Sequence, residues 1–162
     1  MKSNQATRPI WAVGFVLVAM CLASSCDDST TTEPTVTAEL NVTVAPDPVA
    51  AVASTNEEFQ WLASFTVTFA ETAGVGSEIQ PVTTNVIETA NGEPVQSDEE
   101  VLSETQVDTD SNRIEGNSSR VVSISVFYTL PGGGTEANIN LDIPIVDDTG
   151  AEVGGILQVR VE

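Results

Sequence analysis

Apolar and polar residues alternate with a period of two along most of the chain after residue 35. The alternation is clearest at residues 36–44, 59–69, 122–130, 137–145 and 157–161. Successive side chains of a strand point to opposite faces, so each stretch predicts a strand with one buried face. The 59–69 stretch is the longest and most aromatic, which predicts a place at the centre of the core. A weaker alternation predicts a further strand at residues 82–89.

Turn-forming residues separate these stretches. Asn91-Gly92 is a strong signal for a two-residue type I′ hairpin, because both central residues of that turn need a positive φ. The other predicted turns contain Pro or Gly at residues 46–48, 74–76, 131–134 and 147–150.

The segment from residue 92 to residue 119 is consistent with two structures. Ser97-Asp98-Glu99-Glu100 has the form of a capping box, which favours a helical turn. Residues 101–107 alternate and have no apolar stripe at helical spacing, which favours an edge strand. We expect the strand.

The first 25 residues have a different pattern. Lys2 and Arg8 precede an uncharged run of 14 residues, 10–23, which is followed by small residues. This order is typical of a secretory signal peptide, and a membrane-spanning helix needs about 20 apolar residues. Such a segment is found in lipid-anchored proteins, for which the following residues give the indication. The alternatives are plain secretion and an uncleaved anchor.

Ala23-Ser24-Ser25-Cys26 resembles the lipobox of bacterial lipoproteins, with Ala23 where leucine is commonest. The resemblance implies cleavage before Cys26 and a diacylglycerol on its thiol. Residues 1–25 would then be a lipoprotein signal peptide, 26–35 the lipidated cysteine with a polar tether, and 36–162 the folded domain. The tether would reach at most about 30 Å. Asp27 and Asp28 resemble acids that influence the destination of some lipoproteins.

About seven short strands, turns rich in Gly and Pro, and no long helical pattern predict an all-β fold, a single antiparallel β-sandwich. Residues 42–49, followed by an aromatic second strand, resemble bacterial immunoglobulin-like and fibronectin type III-like modules. The resemblance implies an immunoglobulin-like sandwich over residues 36–162. The Cys-Trp-Cys spacing of true immunoglobulin domains is missing, and Trp61 falls on the second strand.

Composition excludes several classes of function. The chain has 24 acids, 5 bases and no His, a formal net charge of −19; the part after residue 25 keeps all 24 acids and 3 arginines, or −21. Such a surface repels nucleic acid and anionic lipid headgroups. Beyond Cys26 there is no Cys, His or Lys, so triads that use these residues are excluded. We therefore expect a non-enzymatic protein without a cofactor.

One candidate metal site stands out. Asp108, Asp110 and Asn112 place oxygen ligands at alternate positions, as a calcium loop does, and Glu115 is a possible fourth ligand. An EF-hand is excluded because Arg113 and Ser119 occupy the glycine and bidentate-glutamate positions. The alternative is a solvated turn rich in Asx residues.

Other motifs favour structural roles. The acidic clusters at 98–100 and 147–148 predict a solvated face or turn, since neither has the apolar surroundings that raise a catalytic carboxyl pKa. Gly132-Gly133-Gly134 has no following Lys, which excludes a P-loop. Phe59 and Trp61 alternate with polar residues and are expected in the core rather than on a carbohydrate-binding platform.

These expectations combine into a lipid-anchored protein of the cell envelope, periplasmic or on the outer surface, that acts as an interaction or structural module. Its anchor would be the membrane lipid on Cys26, and its partner an unidentified protein or glycan. The alternatives are a calcium-stabilised adhesion or carbohydrate-binding module and an inhibitor of secreted proteases through loop 131–136. The acidic excess fits either a saline habitat or the recruitment of cations or a basic partner.

Overall fold

The computed structural model describes residues 35–162, which contain twelve β-strands and no helix. In chain order the strands are β1 (Leu40–Ala45), β2 (Ala51–Ala53), β3 (Trp61–Glu71), β4 (Ser77–Ile79), β5 (Thr83–Ala90), β6 (Glu93–Pro94), β7 (Leu102–Asp108), β8 (Arg113–Ile114), β9 (Ser119–Thr129), β10 (Ala137–Ile143), β11 (Ile145–Asp147) and β12 (Gly155–Val161). The predicted all-β, antiparallel fold is confirmed.

The strands form three sheets, and every pair of neighbouring strands is antiparallel. The first sheet has the order β1-β3-β9-β7, with β2 also paired to β3. The second has the order β12-β10-β5-β6, and the third β11-β4-β8. Strands β1 and β7 are therefore the two edges of the first sheet, and β12 is an edge of the second.

The core is built by alternation in the long strands. Strands β3 and β9 pair over ten positions, with Val67 opposite Val122. Phe65, Val67 and Phe69 are buried, whereas the residues between them are not. Burying one large apolar side chain contributes about 1.5–3 kcal/mol. Buried residues of all three sheets belong to one hydrophobic cluster, so the sheets share a single core.

Several local predictions are confirmed. Asn91 and Gly92 both have positive φ, 54° and 82°, in the hairpin that joins β5 to β6. Residues 102–108 form an edge strand, and residues 98–100 form no helix. The Ser97 hydroxyl accepts a hydrogen bond from the Glu99 amide (3.0 Å), so the capping-box residues form a local turn.

The predicted number of strands was too small. Strands β2, β4, β6, β8 and β11 have only two or three residues each, too few to show an alternation in the sequence. Residues 36–39 were predicted to be strand but precede β1. Val49 lies outside the named strands and forms a parallel bridge with Val161 of β12.

The predicted signal peptide, Cys26 and all of the tether except Thr35 lie outside the described residues. Thr35 is exposed. Residues 35–162 form one compact unit. No helix long and apolar enough to cross a membrane occurs within residues 35–162.

Candidate functional site

The predicted calcium loop connects β7 to β8, and its predicted ligands are exposed. Asp108 ends β7, and Asp110 and Asn112 follow in the loop. Within residues 35–162 no group of three or more acidic, His or Cys side chains is placed to hold a metal ion. The Asn112 side chain donates a hydrogen bond to Glu78 Oε1 (2.8 Å). The calcium site therefore stays a prediction.

Hydrogen bonds within the loop fix its shape without a ligand. The Thr109 hydroxyl donates to the Ser111 carbonyl (2.6 Å), and the Ser111 hydroxyl accepts from the Arg113 amide (3.0 Å). Short side chains that bond to nearby backbone groups are typical of turns. This geometry accords with the alternative interpretation, an Asx-rich turn.

A cavity of about 440 Å³ lies beside this loop. Val107 and Thr105 of β7 and the segment Gln80-Pro81-Val82 contribute to its walls. The Thr105 hydroxyl bonds to the Thr84 hydroxyl. The walls contain no charged side chain, so the cavity offers apolar contact with little electrostatic selectivity.

Two buried carboxylates hold loops by accepting hydrogen bonds from their backbone amides. Glu71 ends β3 and accepts hydrogen bonds from the backbone amides of Asn117 (2.7 Å), Ala73 and Gly74 (both 2.8 Å). Burial alone would raise the pKa of Glu71, but these backbone donors, with a further one from Glu39, lower it to about 2. A group this acidic stays ionised near neutral pH and cannot act as a general acid.

Asp147 has the same role at the end of β11. Its carboxylate accepts hydrogen bonds from the Thr149 hydroxyl (2.6 Å) and the amides of Thr149 and Ala151 (both 2.9 Å) and of Ala38 (3.0 Å). The Thr149 hydroxyl is the main cause of a pKa lowered to about 2, burial opposes it, and the backbone donors add to it. The prediction of a solvated turn was wrong for Asp147, which is buried, because these donors replace its water.

The sequence contains a signal for the burial of both carboxylates. Glu71 continues the inward positions 65, 67 and 69 of β3, and Asp147 continues the inward positions 143 and 145. An acid in phase with buried residues predicts a buried carboxylate, which needs donors. The identity of those donors depends on loops that only the folded chain brings together.

The neighbouring Asp148 is exposed and forms a two-pronged ion pair with Arg113. The Asp148 oxygens lie 2.5 and 2.7 Å from the Arg113 guanidinium nitrogens. The guanidinium hydrogen bonds lower the pKa of Asp148, and they raise the pKa of Arg113. The pair joins β8 to the turn after β11. Glu115 lies 3.6 Å from Arg113 Nε.

The glycine-rich loop, residues 132–134, lies against the carboxylate of Glu88. Gly132 donates its amide to Oε2 of the buried Glu88 (3.0 Å). A Cβ at Gly132 would lie 2.3 Å from Glu88 Oε1, so a larger residue there would displace this carboxylate. A phosphate would be repelled here. The adjoining Tyr128 hydroxyl donates to the Thr135 carbonyl (3.0 Å).

The aromatic residues occupy two environments. Trp61 is half-buried and packs against the core. Phe59 precedes β3, is half-buried, and packs against Phe127 with ring centroids 6.1 Å apart. Phe127 points away from the core, because its neighbours Val126 and Tyr128 on β9 are buried. The expectation of core burial therefore holds in part for Trp61, whereas Phe59 lies on the outer face of the first sheet.

An apolar groove of about 220 Å³ lies between the edge strands β1 and β12, and we name it the β1–β12 groove. Its lining contains no charged residue: Leu40, Val42, Phe69, Ile143, Ile145, Val153, Gly154, Gly155, Ile156 and Leu157. Val42 is 40% exposed and Ile156 is 77% exposed. Open apolar surface at a sheet edge is a typical place for another chain to bind.

No family model matches the chain, and no curated protein matches it. Among solved structures, the secreted serine protease VesC from Vibrio cholerae aligns with 75% of this chain at 12% identity and a TM-score of 0.43. The alignment spans 23% of the VesC chain. A likeness at this level assigns no activity to the protein.

Proposed function

We propose that the protein is a lipid-anchored protein of the bacterial cell envelope, and that its domain is a non-enzymatic interaction module. One observation carries the proposal. The buried carboxylates Glu71 and Asp147 are occupied by donors of their own loops, whereas apolar surface is left open at the edge of the β1–β12 groove. This contrast supports a role in binding rather than in catalysis.

The anchor rests on the N-terminal sequence. The signal-like residues 1–25 and the following Cys26 would attach the chain to lipid. Residues 26–35 would then hold the domain within about 30 Å of the membrane. At that distance the negative domain is repelled by anionic headgroups, which favours a domain that faces away from the membrane.

We further propose that the two larger sheets form an immunoglobulin-like sandwich. Two features support this arrangement. Inward residues of both sheets belong to one core, as in packed sheets. The chain also passes from β1, in the first sheet, to the bridge between Val49 and Val161 of β12, in the second.

Detergent partitioning tests the anchor. Wild-type protein expressed in a bacterial host should enter the detergent phase, and the Cys26→Ser variant should move to the aqueous phase because it has no thiol to acylate. Cys21→Ser is the matched control and should partition like the wild type. Equal partitioning of Cys26→Ser and the wild type would contradict lipid anchoring.

A calcium-stabilised module is a second candidate, favoured by the exposed carboxylates of Asp108 and Asp110. Calcium binds oxygen ligands of this kind. Titration calorimetry with calcium and with magnesium tests it, with Asp110→Asn as the variant and Asp98→Asn as the control. This candidate would be removed if calcium gave no more binding heat than magnesium, or if Asp110→Asn and Asp98→Asn gave the same binding heat with calcium.

A further inference from the structure

We infer that the β1–β12 groove binds an extended peptide in which apolar and basic residues alternate, and that this peptide adds a strand to the free edge of β1. The inference rests on the proposed interaction module and names its partner class. Three features support it: the backbone of β1, the floor of the groove and the charge of the domain.

The backbone of β1 has one free edge. The Thr72 amide donates to the Glu39 carbonyl (3.0 Å), and the register continues through the opposed pair Asn41 and Ala70. Hydrogen-bonded and non-hydrogen-bonded pairs alternate in an antiparallel ladder. The backbone groups of Leu40, Val42 and Val44 therefore point away from β3, and within residues 35–162 no other strand pairs with β1.

The groove floor fits the side chains of an added strand. Leu40 and Val42 lie opposite the inward positions Glu71 and Phe69 of β3, so their side chains face the core. A strand next to β1 would direct alternate side chains onto the apolar floor formed by Ile143, Ile145 and Val153. The added strand therefore needs an apolar residue at every second position.

The charge of the domain specifies the other positions. Residues 35–162 contain 21 acids and 3 arginines, a net charge of −18. Two of the arginines form ion pairs, Arg113 with Asp148 and Arg160 with Glu162, and the third, Arg120, donates to the Arg113 carbonyl (3.2 Å). A strand with lysine or arginine at its outward positions is therefore attracted to the domain.

Two other occupants are disfavoured. A second copy would bring a further −18 to the edge, so pairing of two β1 strands is opposed by repulsion. The tether at residues 26–34 contains acids and threonines but no large aliphatic or aromatic residue. It has nothing to place on the apolar floor.

The test uses the protein purified in detergent and three synthetic peptides of about eight residues, the length of a typical strand. The first alternates lysine with valine, the second glutamate with valine, and the third lysine with serine. Fluorescence anisotropy of labelled peptide measures the affinity. We expect binding of the lysine–valine peptide that weakens with added sodium chloride, and at least about tenfold weaker binding of the other two.

The variant Val42→Pro removes a free amide from β1. Proline is tolerated on edge strands where the amide faces outward, so pairing of β1 with β3 is retained. The matched control is Val107→Pro on β7, the opposite edge of the same sheet. Val42 and Val107 are both 40% exposed. The Glu71 amide donates to the Ser118 carbonyl, and the registers of β3 with β9 and of β9 with β7 carry this phase on, so the Val107 backbone lies at the free edge of β7.

A second pair of variants, Val42→Lys and Val107→Lys, keeps the test valid if a proline variant does not fold, which circular dichroism detects. We expect both Val42 variants to weaken binding of the lysine–valine peptide about tenfold or more, and both Val107 variants to bind like the wild type. Equal losses at Val42 and Val107, equal binding of the glutamate–valine peptide, or no binding would overturn the inference. Self-association in sedimentation that Val42→Pro removes would also overturn it, in favour of a second copy.

These outcomes are separate from those of the anchoring test. Partitioning of Cys26→Ser reports on the lipid alone, and peptide binding reports on the groove alone. If the lysine–valine peptide does not bind but Cys26→Ser still moves to the aqueous phase, only the proposed partner class is overturned.

Discussion

At the residue scale, Glu71 makes the stability of the domain depend on pH. Its pKa is lowered from 4.5 to about 2 by the backbone donors that hold it. A carboxyl whose folded-state pKa is depressed stabilises the fold above its unfolded pKa, and this contribution disappears as pH falls through the folded value. We expect Glu71→Gln to lower the melting temperature at pH 7 and to flatten its pH dependence between about pH 4.5 and 2. Glu57→Gln is the control, because Glu57 is exposed, and an equal effect of both variants would contradict the role of Glu71.

A pair of adjacent glycines allows a steric test. A Cβ at Gly154 would lie 2.1 Å from the Ile143 carbonyl oxygen and 2.5 Å from the Ile145 nitrogen, whereas a Cβ at Gly155 would have nothing within 4 Å. Gly154→Ala must displace backbone, so we expect a loss of about 1–3 kcal/mol in the free energy of unfolding. Gly155→Ala should be neutral or gain about 0.4–1 kcal/mol. Urea unfolding measures both, and a Gly154→Ala protein as stable as the wild type would contradict the close packing.

At the element scale, the long strands were predictable and the short ones were not. Strand β9 has four alternating buried residues, from Val122 to Tyr128, and Leu130 continues the alternation directly after the strand. This is ample signal. Strand β8 has two residues, and Ile114 is buried only because β4 and the core meet it. The candidate site was likewise predictable only in part. The alternation in β7 predicted an edge strand, but the β1–β12 groove depends on the positions of β1 and β12 at the edges of their sheets.

The exposed segment from β6 to β7 should be the least protected part of the domain. Residues 88–119 contain nine acids and one arginine, and residues 91–100 are all exposed. This segment buries little apolar surface, so little offsets the conformational entropy that it loses when it is ordered. We expect hydrogen exchange of residues 91–104 to be fast at low ionic strength and slower in monovalent salt, which screens the repulsion.

Calcium separates ligation from screening in the same measurement. If Asp108, Asp110 and Asn112 bind calcium, millimolar calcium should protect residues 105–115 when sodium chloride of equal ionic strength does not. Equal protection in low salt, high salt and calcium would contradict both effects. It would show a segment held by packing alone.

At the scale of the whole molecule, the excess of acid should make stability rise with salt. Residues 35–162 contain 21 acids and only three arginines, a net charge of −18. Self-repulsion of like charges destabilises the compact state. The Debye length falls from about 10 Å at 0.1 M to about 3 Å at 1 M salt, so screening reaches even neighbouring surface charges.

We therefore expect the melting temperature in sodium chloride to rise by several degrees between 0.1 and 1 M, since 1 kcal/mol corresponds to roughly 2–8 °C in domains near this size. Sodium chloride is the appropriate salt, because sulfate also stabilises proteins by exclusion from their surface. A variant with Asp98→Asn, Glu99→Gln and Glu100→Gln removes three exposed charges. It should melt at a higher temperature than the wild type in low salt and should depend less on salt. A melting temperature that is constant or falls with sodium chloride in both proteins would contradict repulsion as a significant cost of this fold, and the acids would then matter for partners rather than for stability.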